Sequence, residues 1–340
     1  MQKQRSRRAV LGALGTAATL GLAGCSDASA GGDSTDAPGD GDMTIFHAGS
    51  LAPPFSAAEP LFEEETGIDV TREPKGSVAS TKKITQQDRQ ADVLGVSDFR
   101  LIRDRVVPDF GDWYAVFTTN AMSIQYREDS PGADEISTDN WWEVLSRDGV
   151  SIGHSDPAVD PGGYRAVMAQ QLGAVEFDGE RLYDEATYQK LRENSEVPTG
   201  TETNLEGQLE SGELDYVFYY QSISASSDLP WIDLQPEVDL SKATTAYANH
   251  YAKAEVESDS GTFTGAPIAY GMTVPSVAES PDLGARWVEY FATEDGRQVL
   301  QDKGLQPVSP IVVPKSGEDA VPDRVLEHAE AKASLGPLEL

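Results

Sequence analysis

The sequence has a single cysteine, Cys25, among 340 residues, so no disulfide can close within the chain and the fold must stand on its core. Basic residues are scarce too: 26 Lys and Arg face 57 Asp and Glu, a formal net charge of −31. A nucleic-acid groove needs cations against phosphate, so no nucleic-acid partner is expected. The four histidines, His47, His154, His250 and His328, are far apart and form neither HxxxH nor HExxH, which argues against a zinc site. No GxSxG elbow, P-loop or GxGxxG follows a strand. Nucleophilic hydrolysis and nucleotide binding therefore lack local support, and no enzyme is expected. Beyond the first 24 residues, no apolar run is long enough to span a membrane.

The first residues read Arg5-Ser6-Arg7-Arg8 and pass into an apolar run that reaches Leu22. This is the pattern of a signal peptide over residues 1–24 with a twin-arginine pair, too short and Gly-rich for a good membrane span. It ends in Leu22-Ala23-Gly24-Cys25, which resembles a lipobox. Small residues there let a peptidase reach the backbone, and the Cys25 thiol can then carry lipid. A buried core thiol is the other reading of a lone cysteine. Residues 26–42 contain no large apolar side chain. They cannot offset the entropy of ordering, so 25–42 is expected to be a lipidated cysteine and a flexible acidic linker. The expected address is the extracellular face of the cell membrane, with export by the twin-arginine pathway.

Removing residues 1–24 takes away Lys3, Arg5, Arg7 and Arg8 and no acid. The acids that remain are spread through a chain that is 39% hydrophobic. Such a surface suits a globular, halophilic protein, because the Debye length falls to about 3 Å at 1 M salt and self-repulsion is screened.

From Met43 onward, short apolar runs alternate with helical periodicity. Residues 44–47 predict a strand, and 54–66, with apolar Phe55, Ala58, Leu61 and Phe62, a helix ended by Gly67. Strands over 68–71 and 91–96 flank a helix over 78–87, and this βαβαβ order implies a parallel sheet. A second set has strands at 121–126, 151–153 and 216–220 and helices at 141–145, 163–172 and 205–209. Helices at 282–291 and 294–302 follow, the last closed by Gly304. Two α/β lobes are expected, with 43–117 and 268–315 in the first, 118–267 in the second, and 316–340 as a C-terminal extension. Trp113, Trp141, Trp142, Trp231 and Trp287 are read as packing residues.

One local pattern recurs: a strand runs into a small, hydroxyl-bearing turn and then a helix. It appears as Ala48-Gly49-Ser50-Leu51 and as Lys75-Gly76-Ser77-Val78-Ala79-Ser80. Helix N-termini offer free N–H groups and the positive end of a dipole, and Gly lets backbone approach a ligand. Two such turns at one sheet edge make an anion cradle without formal charge. Each serine alone is equally an ordinary N-cap.

Five stretches carry a resemblance: Phe46-His47-Ala48-Gly49-Ser50-Leu51, Arg72-Glu73-Pro74-Lys75-Gly76-Ser77-Val78-Ala79, Asp112-Trp113-Tyr114, Asp160-Pro161-Gly162-Gly163-Tyr164-Arg165 and Tyr270-Gly271-Met272-Thr273-Val274-Pro275. In this order they resemble the archaeal molybdate/tungstate-binding proteins of ABC importers. The resemblance implies the α/β type II periplasmic-binding-protein fold, two lobes with a hinge and a ligand cleft between them. It also implies molybdate or tungstate as ligand, no catalytic cofactor, an ABC permease as membrane partner, and a monomer. In that family serine hydroxyls and backbone amides hold the oxyanion, and two carboxylates approach the metal. Residue by residue, the match gives Ser50 and Ser77 as serine contacts, Asp160 and Glu202 as the carboxylates, and Tyr220 as a contacting tyrosine. Gly162 stands where the family often has Cys. The segment between Leu172 and Thr201 is shorter than in many members, which leaves Glu206 and Glu210 as alternatives to Glu202.

Read without the resemblance, Asp160 before Pro161 is an N-cap with Pro at the first helical position. Glu202 is then a first-turn acid and Tyr220 a core residue. A dianion beside two carboxylates is opposed by Coulomb's law, at about 4 kcal/mol for unit charges 4 Å apart at an effective dielectric of 20. It becomes favourable if the carboxylate oxygens bond a hard, high-valent metal centre, which sulfate and phosphate lack. Those anions and a ferric complex are the alternative ligands. A surface enzyme acting on an anionic metabolite, and a purely structural module, are the alternative classes.

Overall fold

The computed structural model describes residues 41–198 and 204–340. The leader, Cys25, most of the tether and Glu202 lie outside the described residues. The strands are β1 (Gly41–His47), β2 (Ile68–Pro74), β3 (Val93–Val96), β4 (Ala115–Thr119), β5 (Met122–Tyr126), β6 (Ile152–Gly153), β7 (Ser195–Glu196), β8 (Tyr216–Tyr220), β9 (Trp231–Asp233), the hairpin β10 (Glu255–Ser258) and β11 (Gly261–Thr264), then β12 (Ala269–Thr273), β13 (Gln306–Pro314) and β14 (Ala329–Lys332). The helices that concern the site are α1 (Ala52–Thr66), α2 (Ser77–Thr85), α3 (Arg100–Arg105), α4 (Trp141–Leu145) and α5 (Pro161–Gly173).

Two sheets result. The larger runs β14-β13-β4-β12-β3-β1-β2, and the smaller β7-β6-β8-β5-β9. The βαβαβ expectation holds for β2, β1 and β3, which pair in parallel. The sheet as a whole is mixed, because β12 pairs antiparallel with both β3 and β4. Periodicity within one run carries no information about the direction of a strand returning from a distant part of the chain. β14 lies beside β13, parallel to it.

Local chemistry explains the elements. Gly67 ends α1 in the left-handed region at φ 70°, where its N–H reaches the Glu63 carbonyl at 2.8 Å. Phe55, Ala58 and Phe62 are spaced i, i+3, i+7 and are buried, whereas Leu61, off that face, is 49% exposed. Both phenylalanines meet the fully buried Trp287 edge-on, with ring centroids 5.2 and 5.0 Å away. Trp141, on α4, is likewise buried against Tyr183 and Phe218.

Parallel pairing sets the functional edge. His47 ends β1 opposite Pro74 of β2 and Gly95 of β3, so the chain leaves all three strands at the same side. In the smaller sheet Gly153 of β6 lies beside Val217 of β8, in parallel. Antiparallel β5 begins there, with Met122 opposite Tyr220. The chain crosses between sheets from Thr119 to Met122 and again ahead of β12. Both crossings are tied to one stretch: Met122 N–H bonds the Asp239 carbonyl and Ile268 N–H the Leu240 carbonyl, each at 2.8 Å. Among the described residues, no helix is long and apolar enough to cross a membrane.

Candidate functional site

The two serine turns follow adjacent parallel strands and so emerge at one edge. Ser50 sits in a 3-10 turn, Gly49–Leu51, between β1 and α1, and Ser77 is the first residue of α2. Both are fully buried. Ser50 Oγ accepts a hydrogen bond from Tyr270 Oη at 2.9 Å. Ser77 Oγ lies 3.0 Å from Ser97 Oγ and accepts from the Ser97 N–H at 3.0 Å. Ser97 directly follows β3, so three strand ends of one sheet meet here.

Tyr220, at the end of β8, comes to the same place from the other sheet. Its hydroxyl is 3.3 Å from Ser97 Oγ, and its ring centroid is 5.9 Å from that of Tyr270. Arg165 Nη1 donates to Tyr220 Oη at 2.7 Å and to the Ser97 carbonyl at 2.8 Å. Its Nη2 stands 3.3 Å from Asp98 Oδ2. Burial works against this guanidinium's charge, but Tyr220 and Asp98 beside it reverse the effect and raise its pKa. Asp98 also receives Tyr164 Oη at 2.7 Å and Arg100 at 2.9 and 2.7 Å. Burial alone would raise its pKa; Arg100 and Arg165 pull it well below the carboxylate range. The Asp98 and Arg165 charges thus form a buried ion pair linking α5 to the end of β3.

Asp160 precedes α5 in the N-cap position, with Pro161 first in the helix, but its side chain makes no capping hydrogen bond. Ser155 Oγ donates to Oδ2 at 2.6 Å. Oδ1 is buried without a hydrogen-bond partner. Burial raises the pKa of this carboxyl, opposed by the Ser155 hydroxyl and by the Gly162 and Ser77 N–H groups. Neither N–H makes a hydrogen bond to Oδ1. Gly163, on α5, allows the Ser155–Pro157 backbone to lie against the helix: a Cβ there would stand 2.2 Å from the Ser155 carbonyl oxygen.

Each sheet edge also carries one buried histidine just ahead of its loop. His47 Nδ1 is 2.8 Å from the Ala48 carbonyl and His154 Nδ1 is 2.8 Å from the Ser155 carbonyl. Burial, only partly opposed by these bonds, lowers both to about 4. Both rings are neutral at physiological pH.

Ser50, Ser77, Asp160 and Tyr220 are therefore brought into one buried cluster. Glu202 lies outside the described residues. Of its alternatives, Glu206 accepts from Ser227 Oγ and Glu210 is exposed. Sequence reasoning left Ser97, Tyr270, Arg165 and Asn120 without roles. Tyr270 and Arg165 stand inside stretches that carry the family resemblance, so a signal was present; Ser97 and Asn120 had none. Among the described residues, no group of three or more His, Cys, Asp or Glu could hold a metal ion.

The sequence profile of the bacterial extracellular solute-binding proteins matches residues 43–306. The chain belongs to that family. Among relatives of this solute-binding protein, an uncharacterized solute-binding protein of Methanoculleus marisnigri is 36% identical over 86% of this chain and 87% of its own. The molybdate/tungstate-binding protein WtpA of Pyrococcus abyssi is 34% identical over 79% of this chain and 86% of its own. Of solved structures, the periplasmic molybdate-binding protein of Azotobacter vinelandii is similar with a TM-score of 0.56, at 15% identity, over 77% of this chain and 98% of that one. At that identity the likeness speaks to the fold, which is the type II periplasmic-binding-protein fold.

Proposed function

We propose that this solute-binding protein captures molybdate or tungstate at the cluster of Ser50, Ser77, Asp160 and Tyr220 and delivers it to an ABC permease. The reading is supported by relatives named for that ligand, at 34% and 33% identity. The observation that carries it is the Asp160 carboxylate, buried against the Ser155 hydroxyl with Oδ1 unpartnered. Against a sulfate oxygen such a carboxylate only repels. Against a hard, high-valent metal centre its free lone pairs are ligands. Glu202 is proposed as the second carboxylate.

The energetics are adequate. Binding near 1 nM needs about 12 kcal/mol, and hydrogen bonds to a charged group contribute roughly 1.5–3 kcal/mol each. The larger sheet, from segments 43–117 and 268–315 with β14 added from 316–340, and the smaller, from 118–267, would form the two lobes that open for release. No substrate bond is broken in this scheme, so it has no catalytic residue. The finer address belongs to the proposal as well: twin-arginine export, lipid on Cys25, a monomer held near its permease by the 26–42 tether, and an acid coat suited to strong salt.

Calorimetric titration with tungstate, molybdate, sulfate and phosphate tests the ligand. Tungstate and molybdate are expected to bind at least about 1,000-fold more tightly than sulfate, a gap of about 4 kcal/mol. Equal affinity for sulfate would sink the coordination argument.

A further inference from the structure

Asn120 and Arg165 each head a line of hydrogen bonds that ends on one of the two serines. Asn120 Oδ1 accepts the N–H groups of Ala121 at 2.9 Å and Ser222 at 3.3 Å. That fixes the amide orientation, and Nδ2, which can only donate, faces Tyr270 Oη at 2.9 Å and Ser222 Oγ at 2.8 Å. Tyr270 Oη in turn donates to Ser50 Oγ at 2.9 Å. In the second line Arg165 Nη1 donates to Tyr220 Oη at 2.7 Å, Tyr220 to Ser97 Oγ at 3.3 Å, and Ser97 Oγ lies 3.0 Å from Ser77 Oγ. The guanidinium can only donate; between Ser97 and Ser77 either hydroxyl can be the donor. With Ser97 as that donor, Ser77 Oγ, which also accepts the Ser97 N–H, keeps its own proton for the site.

We propose that Asn120 and Arg165 are positioning residues for selectivity: through Tyr270, and through Tyr220 and Ser97, they hold Ser50 and Ser77 as hydrogen-bond donors, so the site takes fully deprotonated oxyanions. This rests on the anion lying at those serines, whatever its central atom. Hydrogen phosphate would have to turn an O–H toward a donor, or place it at Asp160, where the metal bond is proposed.

The test reverses one line without changing its shape. Wild type is first titrated with tungstate, molybdate, sulfate and phosphate, and variants are compared on the anion it binds. In Asn120→Asp at pH 8 the introduced carboxylate accepts from Tyr270, which then draws the Ser50 proton to itself. Affinity is expected to fall about 10- to 100-fold, the worth of one hydrogen bond to a charged group. It should recover toward pH 6, with one proton taken up per anion in calorimetry across buffers of different ionisation heat. Wild type should show neither effect. Asp233, Asp239 and Lys242, the charged groups lining the hollow beside Asn120, are common to both proteins. Asn120→Asp combined with Tyr270→Phe should bind no worse than Tyr270→Phe alone. Unchanged affinity in Asn120→Asp, or a loss that neither pH nor proton uptake accompanies, overturns the proposal. If that variant does not fold, Tyr270→Phe carries the test: the wild-type preference for the anion it binds over hydrogen phosphate should shrink about tenfold, and an unchanged ratio overturns it. Sulfate binding without tungstate would defeat the metal-oxyanion reading alone. Tight binding of hydrogen phosphate would defeat the relays, and no binding of any of the four would defeat both.

Discussion

Gly76 makes room for Asp160 by having no side chain: a Cβ on Gly76 would lie 2.4 Å from the Val159 carbonyl oxygen and 2.8 Å from the Asp160 Cβ. The φ of Gly76 is −53°, open to any residue. The glycine is required by this close approach and not by backbone conformation. It lets the first turn of α2, with Ser77, press against the entry to α5, and Ala79 N–H bonds the Val159 carbonyl at 3.2 Å.

A methyl group at this contact should separate the two helix starts. Gly76→Ala is expected to weaken oxyanion binding at least about tenfold while lowering stability by about 1–3 kcal/mol, the usual cost of overpacking. Calorimetry and denaturant unfolding measure the two effects. Unchanged affinity would mean that the ligand does not sit where α2 meets α5.

Asp160 should serve binding at the expense of folding. Burial raises its pKa in the folded state, so the ionised carboxylate is disfavoured there relative to the unfolded chain, where it titrates near 3.9. With the sign worked through, the ligand-free protein loses stability as pH rises from about 4 through the raised value. Asp160→Asn is expected to match wild type at pH 4 and exceed it at pH 7 in ligand-free thermal unfolding. The same change should weaken tungstate binding by more than about 100-fold, from the loss of a contact worth roughly 3 kcal/mol. A variant that is less stable at pH 7 would return Asp160 to the role of helix cap.

The two neutral histidines give the opposite slope. Both have pKa values lowered from 6.5 to about 4. Between those values the unfolded chain binds protons that the folded chain refuses. Stability should therefore fall as pH drops from about 6.5 to 4, by on the order of 3 kcal/mol per histidine. Chemical denaturation of the ligand-free protein at stepped pH, compared with His47→Gln/His154→Gln, isolates their share. Parallel curves for the two proteins would show that neither ring is held neutral.

Much of the fold was legible because its signals are local. Gly67 and Gly304 mark helix ends, with φ of 70° and 74°. The alternation of short apolar runs with helical stripes announced β1, β2 and β3 and the helices between them. The directions of β12 and β13 were not legible, because they depend on where a returning chain finds a free sheet edge. Leu61 was grouped with the buried face of α1, yet apolarity alone does not settle orientation; its place on the turn does.

For the site, Ser50, Ser77, Asp160 and Tyr220 could be named from short motifs and a family resemblance. Residue type determined that much: small hydroxyl turns after strands, a carboxylate before Pro161, a tyrosine at a strand end. The Asp160 case shows where this stops. Its cap position was visible in Asp160-Pro161, but that the carboxylate leaves Oδ1 unpartnered was decided only by the packing of the Ser155 loop and α2 around it. The lines from Asn120 and Arg165 likewise join residues up to 220 positions apart. The sequence by itself determined the opening βαβαβ elements, the acid surface and the candidate ligands. Only the tertiary structure decided which groups each hydroxyl and carboxylate meets, because long-range folding sets those partners around it.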